Sequence, residues 1–316
     1  MERPFRIYRS LEEIDHDFGP SALTIGNFDG VHAGHREILR RVTALARQNG
    51  WKPSALTFDP HPTRIVAPER APRLLTTPEE RVLLMREEGI EQVLILPFTR
   101  ELAGFAPERF VREIVVERLD ARAVLVGHNF RFGHEHAGDT RLLAELGRRH
   151  GFVVEAVDAV RMRGRVVSSS EVRRLVEEGN VALAARLLAR PYALAGEVVS
   201  GQGIGSKQTV PTLNLATSAE VLPARGVYIT RTTDPGDGRR WTSVTNIGTR
   251  PTFGGDSVTV ETFLLASLAS PSPRSIRVEF LKRLRAERRF EDAAALKRQI
   301  LRDVARAQAY FRRVGV

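Results

Sequence analysis

The chain has 316 residues, 42% of them apolar and 27% charged, with no cysteine and a formal net charge of +10. That length holds one large domain or two ordinary ones, and the lack of cysteine excludes disulfides, thiolate metal sites and cysteine nucleophiles. No apolar run approaches the ~18 residues of a membrane span. Met1 to Ser10 lacks the apolar centre of a secretory signal, so a cytoplasmic location is expected. The positive charge invites a nucleic-acid reading. Lysine, however, occurs only at 52, 207, 282 and 297, so the charge is mostly arginine, and it is scattered. Binding of anionic nucleotides explains it as well, and neither a nucleic-acid nor a membrane partner is expected.

In chain order, apolar strand-like runs fall at Ala22–Ile25, Ala55–Phe58, Gln92–Pro97, Ala123–Gly127 and Phe152–Val157. Between them, apolar residues at helical spacing predict helices over His35–Gln48, Pro78–Glu88, Pro107–Glu117 and Thr140–His150. Thr77 and Pro78 suit the cap and first turn of the second of these. This β-α-β rhythm predicts an α/β domain, a mainly parallel sheet covered by helices on both faces. Glu171–Leu188 reads as helix, with a possible break at Gly179-Asn180. From Pro191 onward the pattern is all-β: Ala195–Ser200, Thr212–Leu215, Gly226–Arg231, Thr242–Thr245, Thr259–Leu265 and Ser275–Leu281. Asp234-Pro235-Gly236-Asp237-Gly238 has hairpin-turn chemistry. Phe290, Ala294, Leu296, Ile300 and Val304 predict a closing amphipathic helix. The expected architecture is a parallel-sheet domain over 1–188, followed by a six-stranded barrel-like domain with a terminal helix over 189–316.

Four loops of the first domain carry polar chemistry. Gly26-Asn27-Phe28-Asp29-Gly30-Val31-His32-Ala33-Gly34-His35 links the first strand to a helix, where free N–H groups and glycines suit a phosphate. His32 and His35 can donate hydrogen bonds to phosphate oxygens. Asp59-Pro60-His61-Pro62 is a rigid loop after the next strand, Asn129 follows a later one, and Ser168, Ser169, Ser170 and Arg173 open a helix. Together they suit a nucleoside triphosphate at the carboxyl ends of parallel strands. His134-Glu135-His136 is read as a solvated loop rather than a metal site.

On these residues the sequence resembles the bacterial bifunctional riboflavin kinase/FAD synthetase family, over essentially the whole chain. Gly26 to His35 fits the family's Gly-x-Phe-Asp-Gly-Val-His-x-Gly-His, Asn129 to Gly133 its Asn-Phe-x-Phe-Gly, and Ser168 to Arg173 its Ser-Ser-(Ser/Thr)-x-x-Arg. His61 and Pro62 lie in its Pro-His-Pro loop. The resemblance implies a nucleotidyltransferase domain that joins FMN to AMP from ATP, releasing pyrophosphate. It implies that Gly26, Asn27, Phe28, Asp29, Gly30 and Gly34 form the ATP loop and that His32 and His35 contact phosphates. Asn129 would orient a substrate, and Ser168, Ser169, Ser170 and Arg173 would grip the leaving phosphates. Magnesium is expected with the triphosphate.

For the second domain the resemblance implies a riboflavin kinase. Pro211-Thr212-Leu213-Asn214 matches a Pro-Thr-x-Asn motif, and residues two apart on a strand face one side. Thr212 and Asn214 would thus present oxygens to Mg-ATP. Glu261 would be the base for the riboflavin hydroxyl; a strand glutamate facing solvent is its plainer reading. Gly203, Gly205 and Lys207 would bind the nucleotide. The family's Gly-Arg-x-Leu-Gly-Phe is replaced here by Gly205 to Val210, and Phe263 stands where the family has histidine. The expected function is riboflavin to FMN, then FMN to FAD, with riboflavin, FMN, FAD and ATP as ligands. The alternatives are an adenylyltransferase with an inactive kinase-like domain, and a basic nucleic-acid-binding protein.

Overall fold

A computed structural model describes residues 4–14, 17–199, 212–252, 255–266 and 272–315. The chain forms two compact units, Met1–Ser169 and Ser170–Val316. The first begins with β1 (Arg6–Tyr8), β2 (Ser21–Ile25), α1 (Ala33–Asn49), β3 (Lys52–Asp59), α2 (Pro62–Val66) and α3 (Pro78–Glu87). It continues through β4 (Gln92–Pro97), α4 (Arg100–Ala103), α5 (Pro107–Phe110), β5 (Ala121–Gly127) and a small ribbon, β6 (Arg131–Phe132) with β7 (Gly138–Asp139). It ends with α6 (Thr140–His150), β8 (Val153–Val157) and a second ribbon, β9 (Arg161–Met162) with β10 (Arg165–Val166).

Six strands form one parallel sheet in the order β1-β4-β3-β2-β5-β8. Successive residues of each strand serve opposite cores. Leu23 and Ile25, Leu94 and Leu96, and Val124 and Val126 pack with Phe110, Ile114, Leu143 and Leu146 on one face. Ala22, Val93, Ile95, Ala123 and Leu125 pack with Ile38, Leu39, Val42, Val82 and Met85 on the other. Covering both faces is why these strands read as unbroken apolar runs. Thr77 and Glu80 form the reciprocal cap that starts α3. The helix expected over Pro107–Glu117 is α only to Phe110, then continues as a π-turn over Val111–Val116 that seats Val111, Ile114 and Val115 in the core.

The chain steps from β2 to β3 and β4 on one side, then returns to lay β5 and β8 on the other. Its winding therefore reverses between β2 and β5, and ligands of such sheets bind beyond the carboxyl ends of the strands at that reversal.

The division falls one residue into α7 (Ser169–Glu177), which with α8 (Val181–Leu188) opens the second unit. They are separated at Gly179, in the left-handed region, and at the α8 cap Asn180. Then come β11 (Tyr192–Val199), β12 (Thr212–Ala216), β13 (Gly226–Thr233), β14 (Arg240–Thr252), β15 (Gly255–Leu264), β16 (Ser275–Ala286) and α9 (Ala293–Val314). The strands close an antiparallel barrel in the order β11-β12-β15-β14-β13-β16. The β13–β14 hairpin turns where expected, with Asp234 Oδ1 accepting from Gly236 N–H at 2.8 Å. β14 runs well beyond Thr242–Thr245: Gly248 and Pro251, which read as breaks, pair with Thr259 and Asp256 of β15.

Inside the barrel lies a line of buried hydroxyls. Thr232 meets Ser243, Ser243 meets Thr230 and Thr230 meets Thr245, each at 2.8 Å, and Thr245 meets Thr262 at 3.0 Å. Outside, Val227, Ile229 and Val244 pack on Ala307 and Phe311 of α9. The expected stripe of Ala294, Leu296, Ile300 and Val304 is not the face that α9 buries. Gln299, Asp303, Ala307 and Phe311 are buried, while Leu296 is exposed. The barrel presents arginine there: Arg285 Nε donates to Asp303 Oδ2 at 2.8 Å, Arg288 donates to Gln299, and Gln299 Nε2 donates to Asp303 Oδ1 at 2.8 Å. No helix among the described residues is long and apolar enough to cross a membrane.

Candidate active sites

The loop after β2 sits at the sheet reversal and is held in a high-energy shape. Phe28 (φ 50°) and Val31 (φ 37°) take left-handed conformations, as does Gly30 (φ 78°). For a β-branched residue such as Val31 this is a genuine outlier, and such strain persists where the surroundings over-determine it. Both side chains are buried, and Val31 N–H bonds back to the Phe28 carbonyl at 3.0 Å. Gly26 N–H is held by the Leu56 carbonyl at 3.1 Å.

Asp29 points inward from this loop and is buried. Its Oδ1 accepts from Leu75 N–H at 2.9 Å, Thr76 N–H at 3.2 Å and the Thr76 hydroxyl at 3.3 Å. Gly30 N–H in turn reaches Thr76 Oγ1 at 3.0 Å, and the Ser169 hydroxyl donates to the Asp29 carbonyl at 2.8 Å. Asp29 and Ser169 therefore fasten the loop to its neighbours.

His32 caps α1, its Nδ1 accepting from His35 N–H at 3.3 Å. A neutral imidazole has one accepting nitrogen, so with Nδ1 accepting, the proton of a neutral His32 sits on Nε2. The His32 and His35 rings stack with centroids 3.6 Å apart, and Phe28 meets His35 edge-on. Gly34 allows this: a Cβ there would lie 3.2 Å from the His32 ring. On the far side of the reversal Asn129 folds over Gly127, whose added Cβ would lie 3.3 Å from Asn129 Oδ1 and 4.0 Å from Ile38. The sheet thus brings the α1 N-terminus and Asn129 to the two strands that flank its switch point.

The loop after β3 joins them. His61 caps α2, with Pro62 in its first turn, and its Nδ1 accepts from Thr63 N–H at 3.3 Å. On its other side Nε2 of the ring lies 3.1 Å from Nδ2 of the Asn27 carboxamide. Arg81 of α3, which the sequence reading passed over among its acidic neighbours, is fully buried beneath these loops. Its Nη1 donates to Thr57 Oγ1 at 3.0 Å and to the Phe58 carbonyl at 3.4 Å, and the Thr57 hydroxyl donates to the Asn27 carbonyl at 3.3 Å. Burial disfavours the charged form of this guanidinium, opposed in part by Asp29, Asp59 and Glu79.

Ser168 closes the first unit together with Ser169; Ser170 and Arg173 belong to the second, on α7. His134-Glu135-His136 forms an exposed 3-10 turn with His134 Nδ1 3.3 Å from the Ala103 carbonyl. No group of three or more histidine or acidic side chains suited to a metal occurs among the described residues.

In the barrel, pairing places Asn214 of β12 opposite Glu261 of β15, and Glu261 opposite Asn246 of β14. Register makes this a single row across three strands on the outer face, the inner face being that of Thr245 and Thr262. Asn246 opens a segment that matches the family in sequence, but it had no assigned role, because cross-strand register is invisible without the structure. Glu261 is half-buried, which departs from the plain solvent-facing reading. Thr212 lies two residues from Asn214 on the same face, and its Oγ1 is buried with no hydrogen-bond partner among the described residues. Gly203, Gly205 and Lys207 lie outside the described residues.

A family model for FAD synthetase matches residues 14–171, and one for riboflavin kinase matches 188–311. The chain is 35% identical to a bifunctional riboflavin kinase/FMN adenylyltransferase of Escherichia coli K12, covering 92% of each sequence. The chain belongs to the bifunctional riboflavin kinase/FMN adenylyltransferase family. A Pseudomonas fluorescens member is 36% identical over 96% of this chain and 97% of its own. The fold is shared with a crystal structure described as a macrolide-efflux protein from Streptococcus pneumoniae. That likeness has a TM-score of 0.85 and 24% identity, over 96% of this chain and 98% of the other.

Proposed function

We propose that this family member converts riboflavin to FMN on the barrel and FMN to FAD at the switch point of the parallel sheet, using ATP in both steps. The observation that carries the second assignment is the strained β2–α1 loop, which sets the donor nitrogen of His32 at a helix N-terminus. In FAD formation an FMN phosphate oxygen attacks the α-phosphorus of ATP while the bond to the β-phosphate oxygen breaks. The nucleophile is already an anion, so the chain has to align two anions and stabilise the charge that grows on the departing pyrophosphate. The α1 N-terminus, His32 and His35 supply donors to the phosphates. Gly26 and Gly30 let the backbone approach, and Asn129 orients a substrate from the β5 side. Ser168, Ser170 and Arg173 hold the leaving phosphates.

In FMN formation Glu261 accepts the proton of the riboflavin 5′-hydroxyl as that oxygen attacks the γ-phosphorus. The orphaned Thr212 hydroxyl and the Asn214 carboxamide are hard oxygens on one face, a donor set that fits magnesium. When bound, that ion neutralises polyphosphate charge. Gly203, Gly205 and Lys207 complete the nucleotide contacts of the kinase. The functional division falls at residues 188/189, and the reactions take place in the cytoplasm. Many exposed arginines are interleaved with carboxylates, as in Arg41 with Glu37 and Glu155 or Arg174 with Glu171 and Glu178, which disfavours a nucleic-acid surface.

The test is incubation with riboflavin, ATP and magnesium, with flavins resolved chromatographically. FMN followed by FAD is expected. His32→Ala with His35→Ala should stop FAD formation alone, and Glu261→Gln should stop FMN formation alone. FAD from added FMN but nothing from riboflavin would overturn the kinase assignment. Normal FAD output from the double-histidine variant would overturn the other.

A further inference from the structure

Arg81 is the largest fully buried side chain of the described residues. It makes no ion pair within 4.0 Å among them: its guanidinium meets one hydroxyl and one carbonyl, and its buried Nε has no hydrogen-bond partner there. A cation taken from water without a paired anion is costly, and a neutral side chain of the same size would fill the space at less cost. Fold stability alone therefore does not account for an arginine here. What it touches does. Thr57 Oγ1 accepts from the Arg81 N–H and its own O–H donates to the Asn27 carbonyl, and the Asn27 side chain meets His61. The two hydrogen bonds that share the Thr57 hydroxyl polarise one another, so the charge on Arg81 strengthens the hold on the Asn27 backbone, which in turn carries the side chain that meets His61. The line Arg81–Thr57–Asn27–His61 ties the loop after β2 to the loop after β3.

We propose that Arg81 is a positioning residue for adenylyl transfer, a buried cation that orders Asn27 and His61 through Thr57 for a polyanionic nucleotide. The inference rests on the assignment of FAD formation to this unit. Arg81 touches no reacting atom. Its charge is complementary to the phosphates that the neighbouring loop would hold, which offset it once bound.

The experiment uses the full-length protein, with riboflavin phosphorylation as an internal control. Arg81→Met keeps the bulk and removes the charge. It should lower kcat/KM for FAD formation from FMN at least tenfold, leave FMN formation within twofold, and leave the melting midpoint of the first unit unchanged or higher. Arg81→Lys should recover most of the lost rate. Thr57→Val cuts the chain one link further on and should lower FAD formation comparably, while the double variant should fall no further than the worse single one. If Arg81→Met lowers the midpoint but the folded protein makes FAD at the parental rate, Arg81 is structural and the proposal fails. Additive losses in the double variant, or a lysine variant no better than methionine, would also overturn it. Should Arg81→Met not fold, the comparison of Thr57→Val with Arg81→Lys decides. Absence of FAD formation in the unaltered protein would instead refute the underlying assignment.

Discussion

Replacing Asp29 separates a residue that fastens the nucleotide loop from one that handles phosphate directly. Asp29→Ala removes the acceptor of Leu75 N–H and Thr76 N–H, both on buried residues, and frees the Thr76 hydroxyl from one of its partners. Each stranded buried donor costs about 1–3 kcal/mol, so the two amides together give a loss of about 2–6 kcal/mol. For a unit of this size that lowers the melting midpoint by roughly 4–24 °C. The strained turn at Phe28 and Val31 is anchored by the same bonds, so FAD formation should fall with it while riboflavin phosphorylation persists. Asp29→Asn keeps an oxygen acceptor of the same shape and loses only the charge assistance, about 1 kcal/mol. The asparagine variant should melt slightly early and make FAD within about threefold of the parent rate, a change of under about 1 kcal/mol in the barrier. Calorimetry and chromatographic flavin assays read both quantities. An alanine variant that melts normally would refute the fastening role. An asparagine variant that folds normally but makes almost no FAD would show that the carboxylate acts on the nucleotide itself.

Two further outcomes follow from the same geometry. Gly127→Ala places a methyl 3.3 Å from Asn129 Oδ1 and should slow FAD formation roughly 3- to 10-fold through displacement of that carboxamide, with an unchanged melting midpoint. In the second unit, Asp303→Ala leaves the largely buried Arg285 without its carboxylate. This should cost about 3–5 kcal/mol and expose α9 to limited proteolysis at urea concentrations the parent resists.

The pieces of this protein that were legible in the sequence are those set by local chemistry. The reciprocal cap at Thr77 and Glu80, the hairpin at Asp234 and the strand–loop–helix from Ala22 to His35 each follow from residues a few positions apart. So does the alternation of strands and helices. What stayed hidden depends on partners far along the chain. β1 is three residues long and is a strand only because Arg6, Ile7 and Tyr8 pair with Gln92, Val93 and Leu94. Arg81 reads as a solvent-facing charge beside Glu79 and Glu80, and nothing local says that α3 buries it. The face of α9 was misjudged because arginines of β16 and the segment after it draw Gln299 and Asp303 inward. Asn246 joined Glu261 and Asn214 only once the barrel register was known. The bonds of Asp29 were equally hidden: within the loop expected to hold ATP, its carboxylate accepts from two backbone amides of a segment more than forty residues away.

The line of hydroxyls inside the barrel carries an evolutionary consequence. Thr232, Ser243, Thr230, Thr245 and Thr262 each satisfy a neighbour on an adjacent strand, with no water needed between them. Changing a threonine of the line to valine nearly keeps its shape but takes a partner from its neighbours, whereas changing an end pair together, Thr232 with Ser243 or Thr245 with Thr262, leaves the remaining hydroxyls paired. Descendants of this sequence should therefore lose these threonines and serines in facing pairs, and the barrel interior should drift between a hydroxylated and an aliphatic version with few viable intermediates.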